Sequence, residues 1–365
     1  MKTIGLISAN YISGEFGEIT DRRTLASIPY GGRYRLIDFA LSNMANAGIS
    51  TVGVISPYNS GSLIDHIGKG KPWGFGSKVG GIFILPGSVY GVSISGNRFL
   101  LRDFIANRQY FERDDADYIL ISGSSDVYNM DYRPLIEHHH EIGSPITVVY
   151  RKMEESTGYR GFFVDTNETG FVTKMVTKST GPCKYFMDCF VIDRKYLLDF
   201  IEWFAPLEYM DIMDIVSENL NSIEVNTFEF DGYLGKVSNI NDYMRVSKDF
   251  LNKEVRKEIF NEDRNIYTKV QDEAPVHFTN TANVKNSIVS AGCIIEGQVE
   301  NSIIFRSTHI GKGAEIKDSI IMQHGEIGED VELANVICDK YVEITEGTKI
   351  SGDRDPIIIG RDKKL

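Results

Sequence analysis

Cysteine is sparse in this chain: four among 365 residues, at Cys183, Cys189, Cys293 and Cys338. No two stand in CxxC spacing and no histidine cluster sits beside them. That argues against a zinc site, and against a disulfide framework in so long a chain. Four reduced thiols are expected. Positive charge is also short, with 39 Lys and Arg against 51 Asp and Glu and a net charge of −12. An acidic surface matches nucleic-acid phosphates poorly, although a local basic pocket for a small phosphate stays compatible with it. No apolar run approaches the length that crosses a bilayer. The first nine residues lack the basic-then-apolar order of a signal peptide and read as a first strand. These absences predict a cytoplasmic protein with neither nucleic acid nor membrane as partner.

What is present fits a soluble globular protein: 42% hydrophobic and 25% charged residues. The length suits two domains. Strand-like segments at 3–7, 51–56, 82–85, 118–122 and 146–150 alternate with helix-like segments at 36–47, 63–67, 98–113 and 133–142. Such alternation predicts a mostly parallel sheet covered by helices on both faces. Ligands of these sheets bind beyond the carboxyl ends of the strands, so chemistry is expected in the loops after Ala9, Ser56 and Ser122. Further on, a hairpin is expected around 166–170, a strand at 185–192, helices at 195–204 and 241–251, and a strand at 225–230. The charged stretch 252–273 reads as a connector.

The last segment repeats itself. Asn286-Ser287-Ile288-Val289 recurs as Asn301-Ser302-Ile303-Ile304, Asp318-Ser319-Ile320-Ile321 and Asn335-Val336-Ile337, in steps of 15, 17 and 17 residues. Ile304, Ile310, Ile316 and Met322 stand six apart, with glycines between, as in Ile310-Gly311-Lys312-Gly313. A six-residue apolar step predicts a parallel β-helix whose coils of about eighteen residues bury these side chains against one another. The expected organisation is an α/β domain over 1–251, a linker over 252–273 and a β-helix over 274–365.

Several segments together resemble one family. Ile28-Pro29-Tyr30-Gly31-Gly32-Arg33-Tyr34-Arg35-Leu36-Ile37-Asp38-Phe39, Asp65-His66-Ile67-Gly68-Lys69-Gly70-Lys71-Pro72-Trp73, Gly80-Gly81-Ile82-Phe83-Ile84-Leu85-Pro86 and Tyr128-Asn129-Met130-Asp131 are similar to signature stretches of glucose-1-phosphate adenylyltransferases. The resemblance implies a Rossmann-like nucleotidyltransferase domain followed by a left-handed parallel β-helix. It implies a reaction in which glucose 1-phosphate attacks the α-phosphorus of ATP to form ADP-glucose and pyrophosphate. Two anions must meet, so that chemistry needs carboxylates for Mg²⁺ and basic side chains for phosphates.

Position by position, those groups are missing. Asn10 and Tyr11 stand at the family's paired glycines and Glu15 at its loop arginine. Leu25 stands at a lysine, and Pro57 at the glutamine that contacts adenine. Ser125 falls on the metal-holding aspartate, with Asp126 on the following histidine. Lys236 falls on the second metal aspartate, and a lysine cannot ligate Mg²⁺. The family's Gly-Thr-Ala-Asp stretch falls on Phe99-Leu100-Leu101-Arg102. Lys178 matches the lysine that binds the sugar phosphate and reads either as a phosphate ligand or as a solvated surface lysine. Arg33 and Arg35 follow a glycine pair. They read either as ligands of an anionic regulator, for which the family gives precedent, or as ion pairs within the fold. Losing one such donor costs roughly 3–4 kcal/mol, or ~100–1,000-fold in rate. The pattern resembles that of GlgD-type regulatory subunits, and three readings of function follow. The first is a catalytically weak subunit that binds no cofactor itself and assembles, as a tetramer, with a catalytic partner holding Mg²⁺. Sugar phosphate or ATP would be its small-molecule ligands. The second is an active enzyme with Asp126 as metal ligand. The third is a stand-alone sugar-phosphate sensor. His138-His139-His140 is expected to be a helix surface rather than a metal site, because consecutive helical side chains diverge. His309 is expected in a turn.

Overall fold

A computed structural model of the chain describes residues 1–11, 14–57, 59–76, 80–93, 99–113, 115–156 and 159–365. One nine-stranded mixed sheet organises the first part. Its strands are β1 (Thr3–Ser8), β2 (Thr51–Ser56), β3 (Gly81–Pro86), β4 (Tyr118–Gly123), β5 (Ile146–Met153), β6 (Phe163–Thr166), β7 (Val172–Val176), β8 (Cys183–Asp193) and β9 (Val225–Glu229). They run in the order β7-β6-β8-β4-β1-β2-β3, with β5 also against β8 and β9 against β5. The β4-β1-β2-β3 stretch is parallel and β8 runs antiparallel to β4 and β5. Successive side chains serve opposite faces. Leu6, Ile121 and Phe190 join one buried cluster, while their neighbours Ile7, Leu120 and Val191 join another. Both faces are thus apolar and both are covered, as strands this rich in Ile, Val and Leu require.

Helices Ile37–Asn46, Gly61–Ile67, Tyr132–Ile142, Arg194–Trp203 and Ile240–Asp249 lie close to their expected places. The single helix expected over 98–113 is instead two, Leu101–Ala106 and Arg108–Glu112; Arg98 lies outside the described residues. The break falls at Asn107. Its side-chain amide donates to the Pro86 carbonyl at 2.9 Å and the Asp103 carbonyl at 2.7 Å, a local competition with the helix ladder. The helix Ile212–Glu218, capped by Asp211, had no counterpart in the sequence reading. In the stretch 252–273, Asn252 caps a helix over Lys253–Ile259, and Ile259 and Ile266 are buried.

The carboxyl-terminal part is a left-handed parallel β-helix of three five-stranded sheets. Its register corrects the expected interior. Ile304 pairs with Ile321, not Met322. From Ile304 the inward positions run to Ile310, Ile316 and Ile321, so one side of this coil is a residue short. That shortening produces the 17-residue spacing between stacked serines. Met322 faces the other way, into a cluster shared with the α/β part. The recurring Asn or Asp is a corner: Asn286, Asn301, Asp318 and Asn335 all have φ between 42° and 53°. These residue types tolerate the left-handed region best after glycine. The serine that follows ties the coils together. Ser302 N–H donates to Ser287 Oγ at 3.1 Å, Ser319 N–H to Ser302 Oγ at 3.0 Å and Val336 N–H to Ser319 Oγ at 3.1 Å.

The doubled isoleucine of the repeat now has a reason. Ile304 and Ile321 point into the coil, while Ile303, Ile320 and Ile337 point out and are buried against Phe16, Leu25, Tyr243 and Phe250. The glycine turn fits this junction. Gly32 has φ 85°, and a Cβ there would lie 2.7 Å from Ser290 Oγ, which itself donates to the Gly32 carbonyl at 2.9 Å. A positive φ together with a close β-helix wall admits only glycine.

Candidate functional site

The residues expected at the metal position do converge, with a different chemistry. After β4 the chain turns through Ser124 and Ser125 into a two-residue strand, Asp126–Val127, which pairs antiparallel with Gly235–Lys236. Asp126 and Lys236 are register partners. From β8, a bulge between Phe186 and Phe190 places Asp188 at φ 52° and aims its side chain at the same point. Lys236 Nζ donates to Asp188 Oδ2 at 2.5 Å and lies 3.2 Å from Asp126 Oδ1. All three side chains are at most 5% exposed.

Burial alone would push the Lys236 ammonium down, but Asp126 and Asp188 together hold it well above the ordinary lysine range. Burial pushes the Asp126 carboxyl up to about 6, against the pull of Lys236. Ser125 Oγ donates to Asp126 Oδ1 at 3.2 Å, and among the described residues Asp126 Oδ2 has no hydrogen-bond partner. Tyr11 closes the cluster from above. A Cβ on Gly123, at the end of β4, would collide with the Tyr11 hydroxyl, so that hydroxyl rests on bare backbone. Burial, then Asp188, raises the Tyr11 phenol well above its usual range. Asn10 turns away. Its amide donates at 2.8 Å both to the Ser88 carbonyl and to Asp103 Oδ2.

A divalent cation does not fit this donor set. The space between the two carboxylates holds an ammonium with three N–H donors and no lone pair to offer. Among the described residues no three His, Cys, Asp or Glu side chains are grouped to hold a metal. Asp126, the fallback ligand, is committed to Lys236 and Ser125.

The remaining expected positions lie elsewhere. Glu15 is at the surface in an ion pair with Arg160. Leu25 is a core residue beneath the glycine turn. Pro57 follows β2 half-buried, with Tyr58 outside the described residues. Arg102 lies over the Tyr209 ring at 4.7 Å, and the buried carboxylate of that stretch is its neighbour Asp103. Lys178 is exposed in the loop after β7. The three histidines diverge as expected, to Asn226, Thr147 and Tyr118, but His139 is buried rather than on the surface. His309 is on a strand, not in a turn. Its ring nitrogens lie 2.9 Å from Glu296 and 3.4 Å from Glu326.

Arg33 and Arg35 line a cavity of about 340 Å³ where the α/β part, the stretch 269–273 and the β-helix meet. Lys269, Arg306 and Lys340 also face it, and Glu273 is its one carboxylate among the lining residues. Arg306, Gln323 and Lys340 occupy the same place in three successive coils. Arg35 donates to the Ser62 carbonyl at 2.6 Å and Ser62 Oγ at 2.8 Å. Burial lowers the Arg35 guanidinium to about 10. Burial, then Arg35 and Arg23, lowers the Lys340 amine to about 7. Crowded, partly dehydrated cations are the electrostatic signature of an anion site.

Sequence reasoning missed Asp188 and Lys340. An aspartate inside the apolar run Tyr185–Ile192 was a signal, since a buried charge demands a partner. For Lys340 the signal was the repeat, since it follows Asn335 at the same offset at which Arg306 follows Asn301.

The comparisons with known proteins agree with this architecture. The family model described as "Nucleotidyl transferase" matches residues 16–253, and that described as "GlmU-like, C-terminal hexapeptide" matches residues 273–356. The chain is 31% identical over 315 residues to the "Glycogen biosynthesis protein GlgD" of Bacillus subtilis (strain 168), covering 86% of this chain and 82% of that one. It is 31% identical over 317 residues to the GlgD of Geobacillus stearothermophilus, covering 86% and 83%. It is 29% identical over 321 residues to the "Glucose-1-phosphate adenylyltransferase" of Halalkalibacterium halodurans, covering 86% and 83%. The chain belongs to the nucleotidyl transferase family, within the group formed by glucose-1-phosphate adenylyltransferases and GlgD proteins.

Proposed function

We propose that this chain is a regulatory, catalytically weak subunit of a glucose-1-phosphate adenylyltransferase that serves glycogen synthesis. The observation that carries the reading is the Lys236 ammonium seated between Asp126 and Asp188. A site for in-line attack on a nucleotide phosphate needs a cation that both phosphates can share. Here the cation is tethered, buried and saturated by carboxylates, and Tyr11 stands over the strand end where phosphate oxygens would approach. Mg²⁺ and turnover then belong to a catalytic homologue in a hetero-oligomer, and this subunit acts by biasing the partner toward its active arrangement.

The test is ADP-glucose formation by the purified chain alone, by a catalytic glucose-1-phosphate adenylyltransferase alone, and by the mixture. The expected result is negligible turnover by this chain and a raised rate, or a lowered KM, for the mixture. Robust turnover alone would sink the proposal in favour of an enzyme that uses Asp126. No effect on mixing, with sugar phosphate bound near Lys178, would favour the sensor.

The cationic cavity supports a regulatory role, with Arg33 and Arg35 as part of the binding wall for an anionic effector. Sulfate, whose charge is constant near neutral pH, is the probe. Because Lys340 loses its proton near pH 7 and a bound anion favours the charged amine, sulfate binding takes up a proton. The affinity is therefore expected to fall roughly three- to tenfold between about pH 6 and pH 8, measured by calorimetry. Lys340→Arg, charged throughout, removes this fall.

A further inference from the structure

The cationic cavity already contains an anion of its own. Glu273 stands where the stretch 260–273 enters the β-helix, and its carboxylate holds two groups of the second coil. Arg306 Nη1 donates to Glu273 Oε1 at 2.6 Å, and Ser307 Oγ donates to Oε2 at 3.0 Å. Arg306 first, then Ser307, pulls this carboxyl below the ordinary glutamate range, so it is ionised at neutral pH. The first coil leaves room for it. Gly292 sits at the corner above Ser307 with φ 78°, and a Cβ there would lie 3.1 Å from Glu273 Oε2. Four residues earlier the same segment is tied to the opposite wall, where Lys269 Nζ donates to the Asp65 carbonyl at 2.9 Å. The segment 269–273 is thus a strap across the cavity, fastened to the α/β part at one end and to the β-helix at the other.

We infer that Glu273 is a built-in competitor for the cavity's anion: an incoming phosphate-bearing ligand takes Arg306 from Glu273 and in doing so unfastens the strap. This rests on reading the cavity as an anion site, and it adds how that site is kept shut and what its filling moves. The ion pair is partly exposed, with Arg306 at 29% and Glu273 at 23%, so exchange with a ligand requires no unfolding. A dianion has the charge to prevail, since Glu273 is the one carboxylate among the lining residues while Arg33, Arg35, Lys269 and Arg306 all face the same space. The strap is the segment that joins the two parts of the chain, so its release is a movement a neighbouring subunit can feel.

The experiment titrates inorganic phosphate into the full chain and into Glu273→Gln at pH 7.5, by calorimetry, with hydrogen exchange read over residues 269–273. If Glu273 occupies Arg306 in about nine-tenths of the molecules, removing it raises the apparent phosphate affinity about tenfold. Phosphate should speed exchange in the strap of the wild-type chain, whereas in Glu273→Gln the strap exchanges fast without phosphate. Ser307→Ala, which removes one of the two fastenings, should show the same changes at a smaller scale, about two- to threefold. It serves should Glu273→Gln prove unstable. Equal affinity in the wild type and both variants would overturn the competition and leave the cavity as an anion site. So would a strap whose exchange ignores phosphate. No phosphate binding by any of the proteins would overturn the cavity reading and this one with it.

Discussion

Lys236→Ala is expected to destabilise the chain by about 3–5 kcal/mol at neutral pH, because it strips the ammonium from two buried carboxylates. The loss far exceeds what an exposed ion pair contributes, about 0–1 kcal/mol, since Asp126, Asp188 and Lys236 are at most 5% exposed. The pH dependence gives the cause away. In the wild type the Asp126 carboxyl already titrates at about 6, above its ordinary 3.8. The folded state therefore holds this proton better than the unfolded state, and stability from Asp126 falls as pH rises from about 4 toward 6. Without Lys236 the pull that opposes burial at Asp126 is gone, and its carboxyl rises further. The deficit of Lys236→Ala should be largest near pH 8 and shrink toward pH 5, where Asp126 takes up its proton. Asp126→Asn should reverse part of it, because one buried charge is then gone. Chemical denaturation of the three proteins between pH 5 and pH 8 is the measurement. A deficit that does not change with pH would mean that lost packing, not the unpaired carboxylates, is responsible. The same cluster bears on function. A chain that keeps its own ammonium at this place needs no Mg²⁺ to hold its fold, so EDTA is not expected to shift its unfolding midpoint.

Arg23→Ala is expected to cost about 3–5 kcal/mol as well, for a related reason at a different place. Arg23 Nη2 donates to both oxygens of Asp339 at 2.8 Å, with side chains 3% and 1% exposed. The pair joins the segment before the glycine turn to the fourth coil of the β-helix, across 316 residues of chain. Truncating either partner leaves the other buried. Replacing both, as in Arg23→Met with Asp339→Leu, should restore most of the stability, since no charge is then stranded. A double-mutant cycle reports the coupling directly. If the double variant is as unstable as the sum of the singles, the pair contributes nothing beyond each residue's own packing. Arg23→Ala also removes one of the charges that lower the Lys340 amine. Its Lys340 should titrate higher, and the pH dependence of sulfate binding should move upward with it.

The strands of the sheet were legible because their period is local. An apolar run such as Thr51–Ser56, bounded by polar turns, has one reading, and the structure places that strand at the expected residues. The β-helix was legible for a related reason, since its corners recur in the chain as Asn or Asp at a fixed offset from paired isoleucines. The pattern misled where a local rule met a non-local partner. Six-residue counting selected Met322 for the coil interior, but the short third side hands that place to Ile321, and burial against the α/β part is what makes Met322 apolar. Helical periodicity carried the reading through Asn107, whose side chain instead bonds the end of β3. In the candidate site, Ser125 and Lys236 were legible as residue types that do not suit a metal. Their consequence was not visible, because the second carboxylate, Asp188, arrives from β8 through a bulge that no local pattern marks.

By itself the sequence determined the membership, the two kinds of architecture, and the residue types at each position, among them Glu15, Ser125 and Lys236. Those properties live in residue type and spacing, which are fixed along the chain. Only the tertiary structure decided that Lys236 is neutralised by Asp126 and Asp188, that Glu273 fastens itself to Arg306, and that Arg35 and Lys340 share one cavity. Each depends on distances of a few ångströms between residues far apart in order. Electrostatic energy follows separation in space and the exclusion of water, and neither is written in the order of residues.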